Sequence, residues 1–287
     1  MSWKMYRWIW RLEAPLHIGM YPAGMLNRTR LYVPARTLWG ALTAELARRK
    51  KDSFPDYLKE GENLRQKTRL SYLFPAQPVN EKWQAWLPQY EEGQGFLWKR
   101  EDEGKSAADR EFRRWLLGTR PGTAIDPNSD TAAEGTLREH EVINPWSCWG
   151  ERGSPQPVAL VGYIFLSKDT EEILDLDELF LGGDTRYGLG RIKRIEYSED
   201  ESFFGEEVRL EKHPVVMTKF LRAHVFSPTE VALSGALERL AMWNHQEFES
   251  LDRVAWVPGS KPSPDKKSSP EILSWVIRED GFWMQQK

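Results

Sequence analysis

The stretch with the strongest chemical character is GGDTRYGLGRIK, Gly182 to Lys193, which places four glycines and three basic residues in twelve positions. Glycine backbone adopts positive φ and comes close to a ligand, so successive N–H groups can point at one anion. Arg186, Arg191 and Lys193 add positive charge. The stretch therefore predicts either a phosphate cradle or a tight turn that reverses the chain.

Several familiar catalytic motifs are absent from the sequence. The glycine stretch has no GK[ST], so it is not a P-loop. A dinucleotide-binding fingerprint needs a helix directly after its glycines, but here the following run is strand-like. There is no G-x-S-x-G elbow, no H-E-x-x-H pair and no EF-hand spacing. Asp175 and Asp177 lie in an acidic segment and are interpreted as surface charge. We therefore expect no cofactor.

Composition narrows the class of protein further. The net charge is -3 with a pI near 6.1, so a site for a polyanion has to be local. Cys148 is the only cysteine and the five histidines lie far apart, which argues against disulfides and metal sites and favours a reducing cytoplasm. No run approaches the roughly 20 apolar residues of a membrane helix, so we expect no signal peptide or anchor. We expect most of the fourteen tryptophans to pack in the core.

The elements around the glycine stretch predict an α+β fold. Residues Trp3 to Leu12 alternate as a strand does, and a helix is predicted in LYVPARTLWGALTAELARRK, with Thr37 as its cap. Further strands are predicted in LSYLFPAQPV, VALVGYIFLSKD and RIKRIEYSED, and a second helix in TEEILDLDELFL from Thr170. The order strand, helix, strand, strand, helix, strand is that of a ferredoxin-like (RRM-like) βαββαβ domain over residues 1–205.

Two excursions interrupt this domain. Residues 50–118 are irregularly charged and predict an insertion whose charges face water, with a solvated helix in KREDEGKSAADREFRRW. The stretch from about 120 to 145, RPGTAIDPNSDTAAEGTLREHEVINPW, is too long for an ordinary internal loop and predicts a hairpin.

After residue 205 the pattern partly restarts. Strands are predicted in VVMTKFLRAHVF, VAWVPG and EILSWVIREDGFW, a helix with Pro228 at its head in PTEVALSGALERLAMW, and a flexible connection in KPSPDKKSSP. Residues 206–287 are therefore predicted to form a second, degenerate ferredoxin-like unit.

Three separated stretches resemble the RAMP superfamily, the ferredoxin-like RNA-binding subunits of CRISPR effector complexes. PLHIG (Pro15 to Gly19) and VPARTLWG (Val33 to Gly40) are similar to the family's "LHIG … IPGSSLKG" opening. IDPNSDTAAEGTLREHE, from Ile125, is similar to "IDRxTGxAxxGxLFxxE" without a gap, and Gly182 to Ile192 matches the glycine-rich "GGxxxxGxGxh". The three matches occur in the family's order over about the first two-thirds of the chain.

The resemblance implies a subunit that grips guide RNA (crRNA) in a type III CRISPR complex. Its partners would be guide and target RNA, other RAMP subunits and the large subunit of the complex. The first helix and the glycine loop would hold the RNA backbone through His17, Arg36, Thr37, Trp39, Gly182, Gly183, Arg186, Gly188, Gly190, Arg191 and Lys193. The hairpin residues Ile125, Asp126, Gly135 and Leu137 would reach toward a neighbouring subunit and the guide–target duplex. The resemblance thus favours the cradle over the simple turn.

The chain departs from the family pattern at several positions. Trp39 stands where the family often has lysine, Pro127 replaces an arginine, and Arg138 replaces an aromatic residue. Asp126 is interpreted as a turn or hairpin-capping residue. Target-cleaving backbone subunits carry an aspartate in the loop after the first strand, but here that loop, MYPAGMLNRTR, has no Asp or Glu.

We therefore predict a non-catalytic guide-RNA-binding subunit, single-copy or terminal in its complex. The alternative is a RAMP endonuclease that processes precursor guide RNA, with His17 as its general base. A third interpretation is a ferredoxin-like protein unconnected with nucleic acid.

Overall fold

The computed structural model describes residues 3–50, 54–167, 170–240, 242–243, 248–249, 254–263 and 272–286. The helices are α1 (Ala35–Arg49), α2 (Tyr57–Lys67) and α3 (Asp109–Leu116), with 3-10 turns at Glu171–Asp175 and Thr185–Tyr187. No helix among these residues is long and apolar enough to cross a membrane.

The strands of three or more residues are β1 (Lys4–Leu12), β2 (Thr68–Leu70), β3 (Phe74–Val79), β4 (Lys82–Glu91), β5 (Gly95–Arg100), β6 (Ser106–Ala108), β7 (Leu117–Gly122), β8 (Arg138–Ile143), β9 (Ala159–Leu166), β10 (Glu178–Phe180), β11 (Arg191–Glu199), β12 (Glu206–Arg209), β13 (Val215–Thr218), β14 (Leu237–Arg239), β15 (Val254–Trp256), β16 (Leu273–Ile277) and β17 (Trp283–Gln285). Two-residue strands are Leu26–Asn27, Ile125–Asp126, Thr131–Ala132, Trp146–Ser147, Gln156–Pro157, Ser202–Phe203, Val225–Phe226, Leu233–Ser234, Met242–Trp243, Phe248–Glu249 and Lys261–Pro262. The predicted α+β class is confirmed, with mostly antiparallel sheets and few helices.

The largest sheet has nine antiparallel strands in the order β10-β11-β1-β9-β3-β4-β5-β6, with β2 also beside β9. The apolar strand β1 lies between β9 and β11, and its Trp8 and Trp10 are fully buried. The strands predicted at residues 3–12, in VALVGYIFLSKD and in RIKRIEYSED are confirmed as β1, β9 and β11.

Helix α1 begins earlier than predicted. Its N-cap is Pro34, whose φ of -60° suits a helix start, and the Thr37 N–H donates to the Pro34 carbonyl at 2.9 Å. No side chain caps this helix. The prediction that Thr37 caps α1 is therefore wrong, because Thr37 already lies in the first turn.

The charged stretch 50–118 supplies α2, the strands β2 to β6 and α3. Trp86 and Trp98 in β4 and β5 and Phe112 in α3 are buried and pack on one another, with 4.6 Å between the ring centroids of Trp98 and Phe112. Most charged side chains of this stretch are exposed or partly exposed, as predicted, while its strands build part of the large sheet. Its status as an insertion stays a prediction. Of the helix predicted in KREDEGKSAADREFRRW, only the part in α3 forms. The chain reverses direction before α3, where the Arg100 N–H donates to the Lys105 carbonyl.

Residues 120–145 have the antiparallel pairing of a hairpin, β7 with β8, and a second short pair, Ile125–Asp126 with Thr131–Ala132, toward its tip. The strand Leu26–Asn27 lies parallel to β8.

The helix predicted in TEEILDLDELFL is wrong beyond its first turn. The chain forms the 3-10 turn Glu171–Asp175 and then the edge strand β10, which pairs with β11. Leu174, Leu176 and Leu179 are buried along this path, so strand pairing and apolar burial together outweigh local helix preference.

The helix predicted after Pro228 is also wrong. Residues 233–239 form the strand Leu233–Ser234 and β14, which pairs with β15. Gly235 has a φ of +153°, and a side chain there would overlap Ser260. The described residues after 205 contain no helix, so they do not support the predicted second ferredoxin-like unit.

The C-terminal residues form antiparallel sheets instead. A five-stranded sheet has the order Ser202–Phe203, β12, β13, β16, β17, and a three-stranded sheet has the order Val225–Phe226, β15, β14. VVMTKFLRAHVF therefore holds two strands rather than one, and strands are present in VAWVPG and EILSWVIREDGFW as predicted. Residues 264–270 of the predicted flexible connection lie outside the described residues.

A large hydrophobic core runs through the described chain. Trp8 and Trp10 of β1 belong to the same cluster of buried side chains as Val216 of β13 and Trp275 of β16. The expected burial of most tryptophans is seen at Trp3, Trp8, Trp10, Trp86, Trp98, Trp149, Trp275 and Trp283. The division at residue 205 stays a prediction.

Candidate nucleic-acid interface

The glycine loop, Gly182–Gly190, connects β10 to β11 and packs tightly on the segment that follows β1. Gly182 and Gly190 have φ of +77° and +78°, and a Cβ would overlap the His17 carbonyl at Gly182 and the Leu181 carbonyl at Gly190. The Gly183 N–H donates to the His17 carbonyl at 3.0 Å, and the Gly190 N–H donates to the Pro15 carbonyl at 2.8 Å. Both ends of the loop therefore need glycine for close packing.

The middle of the loop is a 3-10 turn, Thr185–Tyr187. The Tyr187 N–H donates to the Asp184 carbonyl at 2.9 Å, and the Gly188 N–H donates to the Thr185 carbonyl at 3.1 Å. Since the amides of Gly183, Gly188 and Gly190 all donate inside the protein, they are not available to an anion. The groups that this loop presents outward are the side chains of Arg186 and Tyr187, the latter 64% exposed.

The hairpin presents a basic face beside the loop. Arg138 lies opposite Gly122 in the β7–β8 register, and His140 lies opposite Arg120. Because side chains alternate along a strand, these four positions share one face. Two guanidinium groups and one imidazole are therefore brought onto the same side of the hairpin.

A groove of about 400 Å³ separates the hairpin from the glycine loop. Its lining residues are Pro15, Arg120, Pro121, Gly122, Thr123, Arg138, His140, Asp184, Tyr187, Gly188 and Leu189. The Arg138 guanidinium lies 5.1 Å from the centroid of the Tyr187 ring, and His140 Nδ1 lies 2.9 Å from an Asp184 carboxylate oxygen. These two contacts cross the groove and join its walls.

The charge of this groove is locally positive. The hydrogen bond with Tyr187 raises the pKa of Arg138 above its usual value, so the guanidinium keeps its charge. Among the lining residues Arg120 and Arg138 are positive and Asp184 is negative, which leaves a positive surplus. An overall acidic chain therefore carries a small basic concavity suited to a phosphate backbone.

His17 lies beneath the glycine loop. It is 7% exposed, and its Nδ1 is 2.7 Å from the Glu141 carbonyl oxygen. A carbonyl only accepts, so Nδ1 carries the proton and donates. The ring also meets His140 edge-on, with 5.2 Å between centroids. His17 therefore packs between the glycine loop and the hairpin.

Arg191 and Lys193, at the start of β11, lie outside the groove lining. Arg191 donates to one Glu178 carboxylate oxygen from Nε at 3.0 Å and from Nη2 at 2.7 Å, and this hydrogen bonding raises the Arg191 pKa. Glu178 is also the register partner of Lys193. One carboxylate thus offsets part of the charge that the sequence places here.

The first turn of α1 also lies apart from the groove. Arg36 and Trp39 line a different small pocket together with Arg65, Glu279 and Asp280. The Trp39 Nε1–H donates to the Gly61 carbonyl at 3.1 Å, and the Arg65 guanidinium lies 4.3 Å from the Trp39 ring centroid. The structure therefore does not bring Arg36, Thr37 and Trp39 into the groove with the glycine loop.

The hairpin tip is apolar and exposed. Ile125 is 58% exposed and Leu137 is 52% exposed. The Asp126 carboxylate accepts from the Asn128 N–H at 2.8 Å, and Gly135 has a φ of +73°. Asp126 is a turn residue by these contacts, and the two apolar side chains lie outside the core.

Sequence reasoning missed Arg120, His140, Asp184 and Tyr187 as groove residues. The alternation R-x-G in β7 and R-x-H in β8 was a usable signal, because period-two spacing puts such residues on one face once the hairpin is assumed. The sequence pattern indicated Asp184 and Tyr187 less clearly. Asp184 has left-handed backbone, with φ +55°, and this conformation is uncommon for residues other than glycine.

No protein-family model matches the sequence, and no curated protein matches it. Solved structures do match in fold. A chain of the type III-B Cmr-beta complex bound to cognate target RNA and AMPPnP superposes with a TM-score of 0.53 and 14% identity, over 88% of this chain and 84% of that one. A chain of the same complex bound to cognate target RNA gives the same score and identity over 88% and 85%. The fold is shared with a chain of this type III-B complex. At this identity the likeness concerns the fold, and it confirms at that level the resemblance predicted from three motifs.

Proposed function

We propose that the protein is a guide-RNA-binding subunit of a type III CRISPR effector complex, and that the groove between the glycine loop and the hairpin holds the RNA backbone. The observation that carries this proposal is the placement of Arg120 and Arg138 on one wall of a concave site whose other wall is the glycine loop. Arg186 projects from the same loop. Guanidinium groups suit phosphate because they present several donors in a plane.

We further infer that β1, α1, β2 with β3, β9 and β11 form the ferredoxin-like core of a RAMP protein. The strand order supports this, because the fourth strand, β11, lies beside the first, β1, which lies beside the third, β9, which pairs with β2 and β3. The 3-10 turn Glu171–Asp175 stands where the second helix of such a core would be.

The partners in this proposal are guide RNA and target RNA, other RAMP subunits and the large subunit. The exposed Ile125 and Leu137 at the hairpin tip suit contact with a neighbouring subunit or the guide–target duplex. The loop Met20 to Arg30 has no carboxylate, in keeping with a non-catalytic role. A position as the single-copy or terminal subunit belongs to the same proposal.

The alternative, an endonuclease that processes precursor guide RNA with His17 as base, has less support from the geometry. His17 is nearly buried and its ring packs between two elements. Incubation with repeat RNA tests this alternative, since specific cleavage lost in His17→Ala would favour it over the binding role.

The test of the proposed function is RNA affinity as a function of salt. Arg120→Ala and Arg186→Ala are each expected to weaken binding of repeat-derived RNA across sequences, and to reduce the slope of log affinity against log salt by roughly one unit. Arg209→Ala serves as the control, because Arg209 lies on β12, outside both the groove lining and the glycine loop that carries Arg186.

A wild-type protein that binds no RNA, alone or co-purified with other subunits, contradicts the proposal. Unchanged slopes in both Arg120→Ala and Arg186→Ala would move the RNA contact elsewhere. Arg191→Ala, predicted from the family motif to behave like Arg186→Ala, is expected to lower the slope less, because Glu178 already pairs with Arg191.

A further inference from the structure

A buried polar cluster joins the loop after β1 to the C-terminal region. We call it the brace; it consists of Arg30, Tyr32, Tyr72, His224 and Glu238. Glu238 Oε1 lies 2.6 Å from His224 Nε2 and 3.3 Å from Arg30 Nε. The Tyr72 hydroxyl lies 2.7 Å from His224 Nδ1. The cluster connects parts of the chain about 200 residues apart in sequence, which only the folded state brings together.

The charges of the brace balance. Burial lowers the pKa of His224, which therefore stays neutral, with Nε2–H donating to Glu238 and Nδ1 accepting from Tyr72. Burial alone would raise the pKa of Glu238, but the hydrogen bond from His224 and the charge of Arg30 hold it below its usual value. One carboxylate thus faces one guanidinium, with side chains 8% and 13% exposed. Removing either charge leaves the other buried without its partner.

Arg30 connects the brace to the segment on which the walls of the groove pack. Its backbone N–H donates to the Ile18 carbonyl at 2.8 Å, and its guanidinium donates to the Gly19 carbonyl. The neighbouring Thr29 N–H donates to the Glu141 carboxylate on the hairpin at 2.9 Å. The carbonyl of His17, one residue before Ile18, accepts the Gly183 N–H of the glycine loop. Hydrogen bonds, joined by single backbone steps from Ile18 to His17 and from Arg30 to Thr29, therefore lead from Glu238 to both walls of the groove.

We propose that Glu238 is a positioning residue that holds Arg30, and through Arg30 fixes the segment from His17 to Arg30 on which the glycine loop and the hairpin pack. The C-terminal region then sets the geometry of the groove without lining it. The part of this inference that concerns RNA rests on the proposed function, whereas the part that concerns the segment itself does not.

The experiment compares Glu238→Gln with wild type by amide hydrogen exchange and by RNA affinity. The rate of amide exchange at Thr29, Arg30 and Gly183 is expected to rise by roughly two- to thirtyfold. This factor corresponds to the coupling free energies measured along networks of packed side chains. RNA affinity is expected to fall within the same range, with the salt slope unchanged because no phosphate contact is lost. Unchanged exchange at these amides overturns the inference.

Glu91→Gln is the matched control. Glu91 pairs with Lys261 at 2.9 Å, so the same substitution breaks another ion pair between the C-terminal region and the rest of the chain. Neither residue belongs to the brace or the groove lining, and exchange and affinity are expected to stay at their wild-type values. An equal effect of Glu91→Gln would show that any such ion pair matters, which also overturns the inference.

The double variant Arg30→Met with Glu238→Gln separates positioning from general stability. It removes the unpaired buried charge, so the unfolding temperature is expected to recover toward wild type, while exchange at Thr29, position 30 and Gly183 stays fast. Recovery of exchange together with stability means that Glu238 acts only through stability, and the inference fails. If wild-type protein binds no RNA, the proposed function fails, and the exchange measurements still decide the role of Glu238.

Discussion

At the scale of single residues, the glycines of the glycine loop differ in how closely other atoms pack around them. Gly182 and Gly190 lie where a Cβ would overlap a backbone carbonyl, whereas Gly188 has positive φ but no heavy atom within 4 Å of the place that a Cβ would take. The first two are needed for packing, and the third lies open on the groove. Close packing therefore explains Gly182 and Gly190, whereas Gly188 ends the 3-10 turn with its N–H bonded to the Thr185 carbonyl.

Gly190→Ala is expected to destabilise the protein far more than Gly188→Ala. Left-handed backbone costs an alanine about 1 kcal/mol at either position. Gly190→Ala must in addition displace the Leu181 carbonyl, for a total loss of about 3 kcal/mol or more. The free energies of unfolding in denaturant measure the difference. Equal losses in the two variants would show that close packing is not what position 190 requires.

The sequence indicated a glycine-rich loop that carries Arg186. It did not indicate which groups of this loop face outward. Glycine spacing indicates freedom of the backbone, yet whether an amide is free depends on a distant acceptor such as the Pro15 or His17 carbonyl. Trp39 is a similar case. Its type suits stacking on a base, but its Nε1–H meets Gly61 of α2, which the sequence alone does not place beside it.

At the scale of elements, the groove depends on how the hairpin meets the glycine loop. The Arg138–Tyr187 and His140–Asp184 contacts hold the two walls at a fixed separation. Asp184 is the acidic exception in a basic groove, and its left-handed φ of +55° is one that asparagine also adopts readily.

Asp184→Asn is therefore expected to strengthen RNA binding. The substitution keeps the loop conformation and removes a negative charge that would repel a bound phosphate. At a few ångströms in water, removing this repulsion is expected to raise RNA affinity roughly two- to fivefold. Asp130→Asn is the control, since Asp130 has the same φ of +55° at the hairpin tip but is not among the groove residues. Equal changes in the two variants, or weaker binding in Asp184→Asn, would argue against RNA in this groove.

Strands were easier to predict than helices in this chain. The predicted strands β1, β9 and β11 are confirmed, and each of them is paired with a neighbouring strand on both sides. The helices predicted after Thr170 and Pro228 had helix-compatible sequences. Pairing of β10 with β11 and of β14 with β15 overrode that preference, and such pairing depends on partners that local sequence does not reveal.

At the scale of the whole molecule, the shared core and the brace connect the C-terminal region to the N-terminal part of the chain. Val216 and Trp275 share a core with Trp8, and His224 lies buried between Tyr72 of the N-terminal part and Glu238. The division of the chain at residue 205 was inferred from a partial restart of the sequence pattern. Composition carries no information about contacts of this range, so the brace could not be predicted.

Burial of His224 predicts a loss of stability in acid. Its pKa in the folded protein lies below the ordinary value of 6.5, so the unfolded chain takes up a proton that the folded protein excludes. Stability is therefore full above about pH 7 and declines as pH falls below the ordinary value, by up to about 1.4 kcal/mol per pH unit. Glu238, whose pKa is also lowered, adds a loss of the same sign at lower pH.

The measurement is the free energy of unfolding of wild type and His224→Gln at several pH values between about 7 and 5. The variant is expected to be less stable at neutral pH but to have a shallower dependence on pH. His213→Gln is the control, because His213 is exposed and should leave the wild-type slope intact. A slope that His224→Gln does not change would assign the acid sensitivity to other groups.

The position of β1 in the large sheet has a consequence for synthesis on the ribosome. Tyr6 pairs with Ile164 on one side and with Glu199 on the other, so β1 lacks one of its partners until the chain has been made as far as Glu199. At about 5–20 residues per second, the segment KMYRWIWRL is made roughly ten to forty seconds before β11 is complete. During that time a tryptophan-rich segment with open edges is exposed to other nascent chains. Slow elongation or a truncated message would therefore favour aggregation of this protein and raise its demand for chaperones.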